Sequence, residues 1–454
     1  MKARRKKVLL VHPEISRTKY NFVGIIENEC LELEYISAVL KEQDLEVILF
    51  DRQVEQETMK DKLAGVSPDV VYVCGRSRQE NFIKEYCQQA KAYNPEILTI
   101  AGGLHVQHSA ERMHESFIDI LLLTFDIFVL AGLIVDPAAD LSGVEGIAYQ
   151  QNGKWVTRPA GPFDINRLPL PDRTYFDNHP GQYRYLELEH AAHVRTAYSC
   201  PYRCRFCYRG RLNNGIYSAR KIEAVVDEIK EIKAGNIYLV DDDFLYDRVR
   251  VERFVTLVKQ AGIKKKYICY GRADFIVENA DLMIMLKEIG FYYVLVGLEA
   301  IGDRRLLGYQ KRSNLDQNIE CVRILNETGI NIMGMFIIDL DFVPADFREL
   351  YRWIESNQLK HTALSLFTPE FGLETYDEYR PRLITDNPSH WDYLHVVAKP
   401  FHMSVRRFYF YYYCLLIRLF LRARKDGVYD FIDYGDYIRS FLKNMITKRS
   451  YDNE

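Results

Sequence analysis

The chain has 454 residues, of which 48% are hydrophobic, and a formal net charge of −3. This length favours about two or three domains, and the small net charge, with no basic tract beyond residues 2–7, argues against a nucleic-acid partner. No uninterrupted apolar stretch approaches the roughly 18 residues of a membrane-spanning helix, so we expect a cytoplasmic protein.

Apolar segments alternate with amphipathic segments in the first part of the chain. The predicted strands cover residues 8–11, 46–50, 70–74 and 97–101, and the predicted helices cover residues 30–41, 53–63 and 80–93. This alternation predicts a doubly wound parallel sheet within residues 1–158. Ligands of such sheets bind at the carboxyl ends of strands, where Gly75, Arg76 and the run Gly102-Gly103-Leu104-His105 stand. The glycine pair by itself could equally turn the chain after a strand.

The end of this region has the pattern of a β-hairpin, over residues 143–158, that turns at Asn152-Gly153. Four prolines then follow within a short stretch, at positions 159, 162, 169 and 171. Prolines at this density are typical of an irregular connection. We therefore place a linker at residues 159–192.

A second series of alternating segments begins at His193. Its predicted strands lie near residues 193–198, 236–241, 266–272, 292–298, 330–338 and 362–367, with helical segments between them. These units predict a partial (β/α)6 barrel over residues 193–370, whose chemistry would lie at the carboxyl ends of its strands. The alternation stops near residue 370, and we expect a helical C-terminal domain over residues 371–454.

Nine cysteines are spread along the chain, and only Cys200, Cys204 and Cys207 cluster. An odd, scattered set is typical of reduced thiols with one metal site, not of a disulfide framework. Their spacing lets one loop bind three corners of a cuboidal iron–sulfur cluster and leave the fourth iron open. The alternatives are a structural zinc site completed by Cys269 or a histidine, and three unrelated cysteines.

The pattern Cys-x3-Cys-x-Phe-Cys at residues 200–207 resembles the signature of the radical S-adenosylmethionine (SAM) superfamily. The resemblance implies a 4Fe-4S cluster whose open iron chelates SAM. It extends to segments 238–244, 270–274 and 296–300, where it assigns SAM binding to Asp241, Asp242, Arg272 and Glu299. Acidic groups can hold the SAM amino group or ribose hydroxyls, and an arginine can hold its carboxylate. Each residue could instead be a helix cap or a surface ion pair.

The N-terminal sheet is similar to the cobalamin-binding domain of cobalamin-dependent radical SAM enzymes. The residues that this similarity assigns to the corrinoid are Gly75, Gly102, Gly103 and His105. Two features depart from it: the Asp-x-His-x-x-Gly motif is missing after Asp51, and residues 122–128 stand where a Gly-Glu-Gly-Glu run is common. The resemblance therefore implies cobalamin bound without an axial histidine from the Asp51 loop.

Three later segments, residues 336–347, 366–369 and 391–395, resemble hopanoid C-3 methylase-like proteins. Glu370-Phe371-Gly372 replaces the Pro-Gly-Thr that usually follows the second of them, so the resemblance carries over no substrate. It implies a methyltransferase acting on an unactivated carbon of an apolar or natural-product substrate. A 5′-deoxyadenosyl radical would abstract hydrogen, methylcobalamin would supply the methyl group, and a flavodoxin or ferredoxin would supply electrons.

Other functions stay open at this point. A cyclase or rearrangement enzyme would keep the radical step without methyl transfer, and a non-catalytic corrinoid or iron–sulfur sensor would bind cofactors without turnover. A methylthiotransferase is disfavoured because Cys30, Cys74 and Cys87 are widely spaced and form no second cluster motif. The sequence assigns no residue a catalytic role.

The C-terminal region contains an aromatic segment, residues 406–425, with basic side chains at helical spacing. Arg407, Arg418, Arg422 and Lys425 fall along one side, which favours a helix lying in a membrane interface. We expect it to present a lipid or isoprenoid substrate at the inner membrane face. The alternative is an aromatic helix that packs against the open side of the barrel.

Overall fold

The computed structural model describes residues 4–16, 26–136 and 139–432. The N-terminal region alternates strands and helices, as the sequence predicts. Its elements are β1 (Lys7–His12), β2 (Ile26–Glu27), α1 (Leu31–Lys41), β3 (Glu46–Asp51), α2 (Met59–Val66), β4 (Val70–Cys74), α3 (Glu80–Tyr93), β5 (Leu98–Gly102), α4 (Leu104–His108), β6 (Ile120–Leu122), α5 (Ile127–Val135), β7 (Ile147–Gln151) and β8 (Lys154–Arg158). Helix α2 begins later than predicted because the Thr58 hydroxyl accepts a hydrogen bond from the amide of Asp61 and caps it.

Within the described residues, these strands form a seven-stranded sheet in the order β3-β1-β4-β5-β6-β7-β8. Strands β3 to β6 pair in parallel, and β7 and β8 join them antiparallel. The hairpin turns at Asn152 and Gly153, whose φ angles of 52° and 74° fit a two-residue type I′ turn. Helices α1 and α5 bury one face of the sheet and α2 and α3 bury the other. The predicted doubly wound sheet is confirmed.

The connection between the two sheets carries short elements: α6 (Thr174–Asn178), β9 (Arg184–Tyr185) and β10 (Leu188–Glu189). Strand β9 pairs with both β2 and β10. Tyr185, Leu186 and Leu188 then pack on Tyr238 and Ile268 of the second sheet. The connection is therefore packed against the barrel. The predicted boundaries of the linker, residues 159 and 192, stay a prediction.

The second region is the predicted barrel. Its elements are β11 (Ala191–Val194), β12 (Ala197–Tyr198), β13 (Ser218–Ala219), α7 (Ile222–Glu231), β14 (Asn236–Leu239), α8 (Arg248–Gln260), β15 (Lys266–Gly271), α9 (Ala273–Glu278), α10 (Ala280–Glu288), β16 (Phe291–Glu299), α11 (Asp303–Gly308), α12 (Leu315–Thr328), β17 (Asn331–Ile338), α13 (Pro344–Ser356) and β18 (His361–Leu366). In the described part of the chain, β11-β14-β15-β16-β17-β18 form one parallel sheet. This arrangement confirms the partial (β/α)6 barrel.

The side chains of β17 show how the barrel is packed. Ile332, Phe336 and Ile338 are buried in the core beneath the outer helices. Met333 and Met335 point to the other face, where they contact a second group of apolar side chains. Because side chains alternate along a strand, this second group lines the inside of the barrel.

The C-terminal region contains α14 (Glu374–Tyr379) and α15 (Val405–Lys425), so the predicted aromatic helix is confirmed. Phe408 and Tyr412 of α15 are buried in the barrel core, and Phe408 contacts Phe347 of α13. The opposite face exposes Phe410 and Ile417 by 62% and 57%. None of the described helices is both long and apolar enough to span a bilayer. Residues 433–454 of the predicted C-terminal domain lie outside the described residues.

Candidate active site

The three clustered cysteines lie on the loop that follows β12. The loop is held by backbone hydrogen bonds from the amide of Cys200 to the carbonyl of Arg209 and from the amide of Arg205 to the carbonyl of Tyr309, at 3.3 and 3.0 Å. A Cβ on Gly210 would approach the carbonyl oxygen of Tyr202 to 1.9 Å, so only glycine allows the returning chain to pass this close. The loop is therefore rigidly shaped by its own neighbours.

The thiols on this loop suit a multi-iron cluster. All three cysteines are free and half-buried, and burial raises the pKa of both Cys200 and Cys207 to about 12. Bound iron would deprotonate such thiols outright. Among the described residues, no three His, Cys, Asp or Glu side chains converge as ligands of one metal ion. A cuboidal cluster needs no such convergence, because each thiolate binds a different iron.

The zinc alternative fits the geometry poorly. Cys269, its proposed fourth ligand, is fully buried in the core of the barrel. A tetrahedral zinc site would need four donors around one point, and the loop thiols lack a common centre within the described chain. The cysteine loop therefore fits the cluster better than zinc.

Three of the four residues predicted to bind SAM form ion pairs near the cysteine loop. The carboxylate of Asp242 pairs with Arg209, which closes the loop. Arg272 pairs with Asp274 at 2.7 Å and lies over the ring of Tyr202, with 3.9 Å from the guanidinium to the ring centroid. The carboxylate of Glu299 pairs with Lys311 at 2.8 Å. Burial lowers the pKa of Lys311, but the charges of Glu299 and then Cys204 raise it on balance, which places this pair beside the loop.

Asp241 has a different position. Its carboxylate accepts hydrogen bonds from the amides of Thr196 and Ala197 at 2.6 and 2.9 Å, and the side chain is buried. These bonds fix the chain between β11 and β12, just before the cysteine loop. Asp241 is thus already engaged in shaping the loop.

Asp243, which was not among the residues predicted to bind SAM, lies next to them. Both of its carboxylate oxygens are buried without a hydrogen-bond partner among the described residues. Burial raises the pKa of Asp243 well above its ordinary value, although Arg272 and Lys311 partly lower it. A buried acceptor without a partner is rare in native proteins, which makes Asp243 a candidate functional residue. The only sequence signal was its place in the run Asp241-Asp242-Asp243 after a barrel strand.

A cavity of about 200 Å³, open to solvent, lies between the two sheets. Its walls combine the carboxyl ends of N-terminal strands with the inner face of the barrel. The residues that line it include His12, Gln53, Cys74, Gly75 and Arg76 on the first side and His193, Arg195, Arg209, Tyr238 and Asp242 on the second. The cysteine loop and the switch region of the first sheet therefore border one shared space.

The four residues predicted to bind cobalamin do not all line this cavity. Gly75 lines it. A Cβ on Gly102 would approach the Tyr72 hydroxyl to 2.2 Å, so packing requires glycine there. Gly103 has a φ of 89°, a backbone conformation that favours glycine. Both glycines therefore have a structural reason that does not depend on cobalamin. His105 is fully buried, with its Nε2 atom 2.7 Å from the carboxylate of Glu80.

The sequence pointed to Arg76 after β4, but it did not indicate the other basic residues of the cavity or His12. Arg76, Arg78, Arg195 and Arg209 give the cavity a strongly basic wall. His12, at the end of β1, also faces it, and its Nδ1 atom lies 3.2 Å from the carboxylate of Asp51. These residues come from separate strands and loops, so no local motif marks them.

Comparison with known proteins agrees with this geometry. Residues 194–354 match the family model of the radical SAM superfamily, and residues 28–123 match that of the B12 binding domain. The chain therefore contains a radical SAM domain and a B12 binding domain. The radical SAM domain implies a 4Fe-4S cluster and SAM, and the B12 binding domain implies cobalamin.

Relatives of this chain include methylases and cyclases. It is 25% identical over 413 residues to the hopanoid C-3 methylase of Methylococcus capsulatus, covering 89% of this chain and 78% of that protein. It is 23% identical over 417 residues to an anaerobic magnesium-protoporphyrin IX monomethyl ester cyclase of Rubrivivax gelatinosus, covering 87% and 74%. Both alignments cross the B12 binding and radical SAM regions.

Two solved structures share the fold. TsrM from Kitasatospora setae, a radical SAM methyltransferase, aligns with a TM-score of 0.67 at 16% identity, covering 87% of this chain and 86% of that chain. The cobalamin-dependent radical SAM enzyme OxsB aligns with a TM-score of 0.65 at 21% identity, covering 82% of this chain. This chain spans about half of the OxsB chain, 54% of its length. At these identities the likeness supports the fold.

Proposed function

We propose that this protein is a cobalamin-dependent radical SAM methyltransferase that acts on an unactivated carbon of an apolar substrate. The observation that carries this proposal is the shared cavity. Gly75 and His12 of the B12 binding domain and Asp242 and Arg209 beside the cysteine loop line the same space. Methyl transfer between a corrinoid and a carbon radical requires both cofactors to reach one substrate, which this arrangement allows.

The residues of the chain have distinct roles in this proposal. When bound, the cluster and SAM supply a carbon-centred radical, and cobalamin supplies the methyl group. Cys200, Cys204 and Cys207 hold the cluster. Asp243 offers its free carboxylate to the SAM amino group, and the basic wall of the cavity attracts anionic groups of the cofactors. A flavodoxin or ferredoxin is the proposed electron donor.

The inner face of the barrel supports an apolar substrate. This face carries aromatic and aliphatic side chains. They are Tyr185, Leu186, Leu188, Tyr238, Ile268, Tyr293 and Leu295, with Tyr270, Met333 and Met335 packed against them. Tyr238 and Tyr270 also line the cavity. The space therefore continues from the basic wall to an apolar and aromatic surface, which favours a substrate with a large hydrophobic body.

The C-terminal helix supports delivery from a membrane surface. One face of α15 packs on the barrel, as the alternative interpretation expected. Phe410, Ile417 and Leu421 on the opposite face are exposed by 62%, 57% and 57%, and their spacing places them in one stripe. Arg418 lies over the ring of Tyr351 at 3.7 Å, so this arginine also has a structural contact. We therefore base the membrane proposal on the exposed apolar stripe and not on the arginines.

Anaerobic turnover tests the enzymatic proposal. The full chain would be reconstituted with iron, sulfide, hydroxocobalamin and SAM and reduced by a flavodoxin. We expect 5′-deoxyadenosine and S-adenosylhomocysteine in the presence of substrate, because the first reports the radical step and the second reports remethylation of the corrinoid. Formation of 5′-deoxyadenosine alone would favour the cyclase-type reaction, which the cyclase relative makes the second candidate.

Two controls define the cofactors. Cys204→Ala should lose the brown absorbance of the cluster and all 5′-deoxyadenosine formation, whereas Cys414→Ala, which removes an exposed cysteine, should retain both. Zinc bound at one per chain, with no iron retained, would disprove the cluster. Loss of all cobalamin on gel filtration of the full chain would disprove the methyltransferase.

A further inference from the structure

His12 stands at a special position in the first sheet. It is the last residue of β1, and β1 lies between β3 and β4 in the strand order. The chain passes from β1 to β3 on one side and then returns across to β4 on the other, so β1 borders the point where the winding direction changes. Ligands of doubly wound sheets bind at the carboxyl ends of the strands at this point. His12 also lines the cavity.

The ring of His12 is oriented by a buried carboxylate. Its Nδ1 atom lies 3.2 Å from Oδ1 of Asp51, which is fully buried at the end of the neighbouring strand β3. Asp51 also accepts hydrogen bonds from the amide of Gln53 and the hydroxyl of Tyr183, at 2.9 and 3.0 Å. These contacts hold the carboxylate in place as an acceptor. The proton of a neutral His12 ring therefore lies on Nδ1, and Nε2 keeps its lone pair.

This arrangement is the one that proteins use to prepare a histidine for a metal. Ligating histidines usually donate the other ring N–H to a carboxylate, which fixes the ring and makes the free nitrogen more basic. The side-chain nitrogen of Gln53 lies 3.0 Å from Nε2 of His12 and 3.2 Å from Nδ1. The Gln53 amide comes from the loop after β3, and binding of a metal to Nε2 requires this amide to move off the ring.

Other polar groups of the cavity are less suited to ligate a metal. Arginines have no lone pair to donate at any accessible pH. Glu29 pairs with Arg173, and Asp242 pairs with Arg209. The carboxylate of Glu32 accepts a hydrogen bond from Tyr72. His193 and the thiols of Cys30 and Cys74 also line the cavity. Burial raises the pKa of both thiols well above the ordinary value, and His193 lies on β11 of the barrel. Of the two histidines that line the cavity, His12 is the one at the switch point of the first sheet.

We propose that His12 is an axial ligand of cobalt in the bound corrinoid, through Nε2, and that Asp51 is its positioning residue. The proposal rests on the cobalamin binding proposed above. The ligand comes from β1 and its carboxylate from β3, so a local Asp-x-His motif is unnecessary. The dimethylbenzimidazole of free cobalamin is displaced from cobalt, and the Gln53 side chain moves off Nε2.

The test is electron paramagnetic resonance of the full chain loaded with cob(II)alamin, with the protein labelled with ¹⁵N-histidine. Nitrogen bound axially to Co(II) splits the cobalt lines, into three for ¹⁴N and two for ¹⁵N. We expect two in the labelled protein and three in the unlabelled protein. Three lines in the labelled protein would show that dimethylbenzimidazole stays bound, and unsplit lines would show a non-nitrogen ligand. Either result would overturn the proposal.

Variants separate ligation from folding. His12→Ala should lose the nitrogen splitting, and Asp51→Asn should keep it with a smaller coupling because the ring loses its anionic partner. His114→Gln, on the exposed surface of the same domain, should leave the spectrum unchanged. Because every histidine carries the label, the wild-type isotope result shows whether a histidine binds cobalt, and the loss of the splitting in His12→Ala, compared with its retention in His193→Ala, shows which one. Cobalamin retained by each variant shows that its B12 binding domain is folded. A protein that retains no cobalamin would instead disprove the proposed function, and the ligation with it.

Discussion

Asp243 has the least satisfied carboxylate near the cysteine loop. It is 3% exposed, and neither oxygen has a partner among the described residues. Its environment keeps cations near but not in contact, since Arg272 pairs with Asp274 and Lys311 pairs with Glu299. A free ammonium group from a ligand would complete this site.

Replacing Asp243 with Asn should therefore have opposite effects on binding and stability. SAM binding to the reconstituted protein should weaken about 10- to 100-fold, because a charged hydrogen bond contributes roughly 1.5–3 kcal/mol. The cluster-free protein should become more stable at neutral pH, because the pKa of Asp243 is raised by burial and ionising it opposes folding.

Calorimetric titration and thermal unfolding measure the two effects. Asp227→Asn, on the exposed face of α7, is the matched control. Unchanged SAM affinity in Asp243→Asn would contradict the assignment.

Glu370 gives the protein a pH-dependent stability. One oxygen accepts a hydrogen bond from the hydroxyl of Tyr393, and the other is buried without a partner among the described residues. Burial raises the pKa of Glu370 from 4.5 to about 7, although the Tyr393 bond and the charges of Arg209 and Arg76 lower it. Because the pKa of Glu370 is higher in the folded chain than in the unfolded chain, the protonated carboxyl stabilises the fold. This contribution is complete below pH 4.5 and is lost as the pH rises through about 7.

Glu370→Gln should remove this dependence. A shift of this size corresponds to roughly 3 kcal/mol, so the free energy of unfolding of the wild type should fall relative to the variant between about pH 5 and pH 8. Urea unfolding at several pH values measures the difference, and Glu111→Gln, an exposed change, should follow the wild type. Parallel curves for wild type and Glu370→Gln would show that this carboxyl does not titrate in that range.

At the scale of elements, helix α15 has two apolar faces, one buried against the barrel and one exposed. Phe408, Tyr412, Leu415 and Leu419 are buried against the barrel, while Phe410, Ile417 and Leu421 are exposed. A single amphipathic pattern would predict one apolar stripe, but this helix has two. The second stripe has no covering element within the described residues, and contact of this stripe with a lipid surface is the proposal to be tested.

A charge on the exposed stripe should abolish vesicle binding without unfolding the helix. We expect Ile417→Asp with Leu421→Asp to reduce co-sedimentation with anionic vesicles by at least about tenfold, since each loses apolar burial and adds repulsion. Leu307→Asp, at a site 78% exposed on α11, is the control. Equal binding by wild type and the double variant, or no wild-type binding, would leave α15 with only its packing role.

At the scale of the whole molecule, a buried ion network joins the two sheets. Arg173 donates to Glu29, which precedes α1, and to Glu228 of α7 at 2.9 Å. It also donates to the carbonyl of His193 at the end of the barrel's first strand, at 2.6 Å. Arg173 thus connects the B12 binding domain to the barrel beside the shared cavity.

Arg173→Met should destabilise the full chain by about 3–5 kcal/mol, because it leaves the buried carboxylate of Glu29 without a cation, whereas Glu228 keeps its ion pair with Arg220. Arg323 also pairs with two glutamates, Glu320 and Glu327, but on an exposed helix face, so Arg323→Met should cost less than about 1 kcal/mol. Chemical unfolding compares the two, and similar losses would contradict a structural role for the buried network.

The sequence by itself determined the features that depend on local spacing. The alternation of apolar segments predicted both parallel sheets, and the gaps between Cys200, Cys204 and Cys207 predicted the cluster loop, because period and loop length are local properties. The Asn152-Gly153 turn followed from the same kind of information. Substrate identity had no such local mark.

Only the tertiary structure decided which polar side chains are engaged and which are free. Asp241, Asp242 and Asp243 are adjacent in sequence, yet the first holds backbone amides, the second pairs with Arg209 and the third has no partner among the described residues. His105 belongs to a glycine-rich motif but is buried on Glu80, whereas His12 belongs to no motif and faces the cavity. These differences arise from contacts between residues far apart in the chain, which spacing along the sequence does not encode.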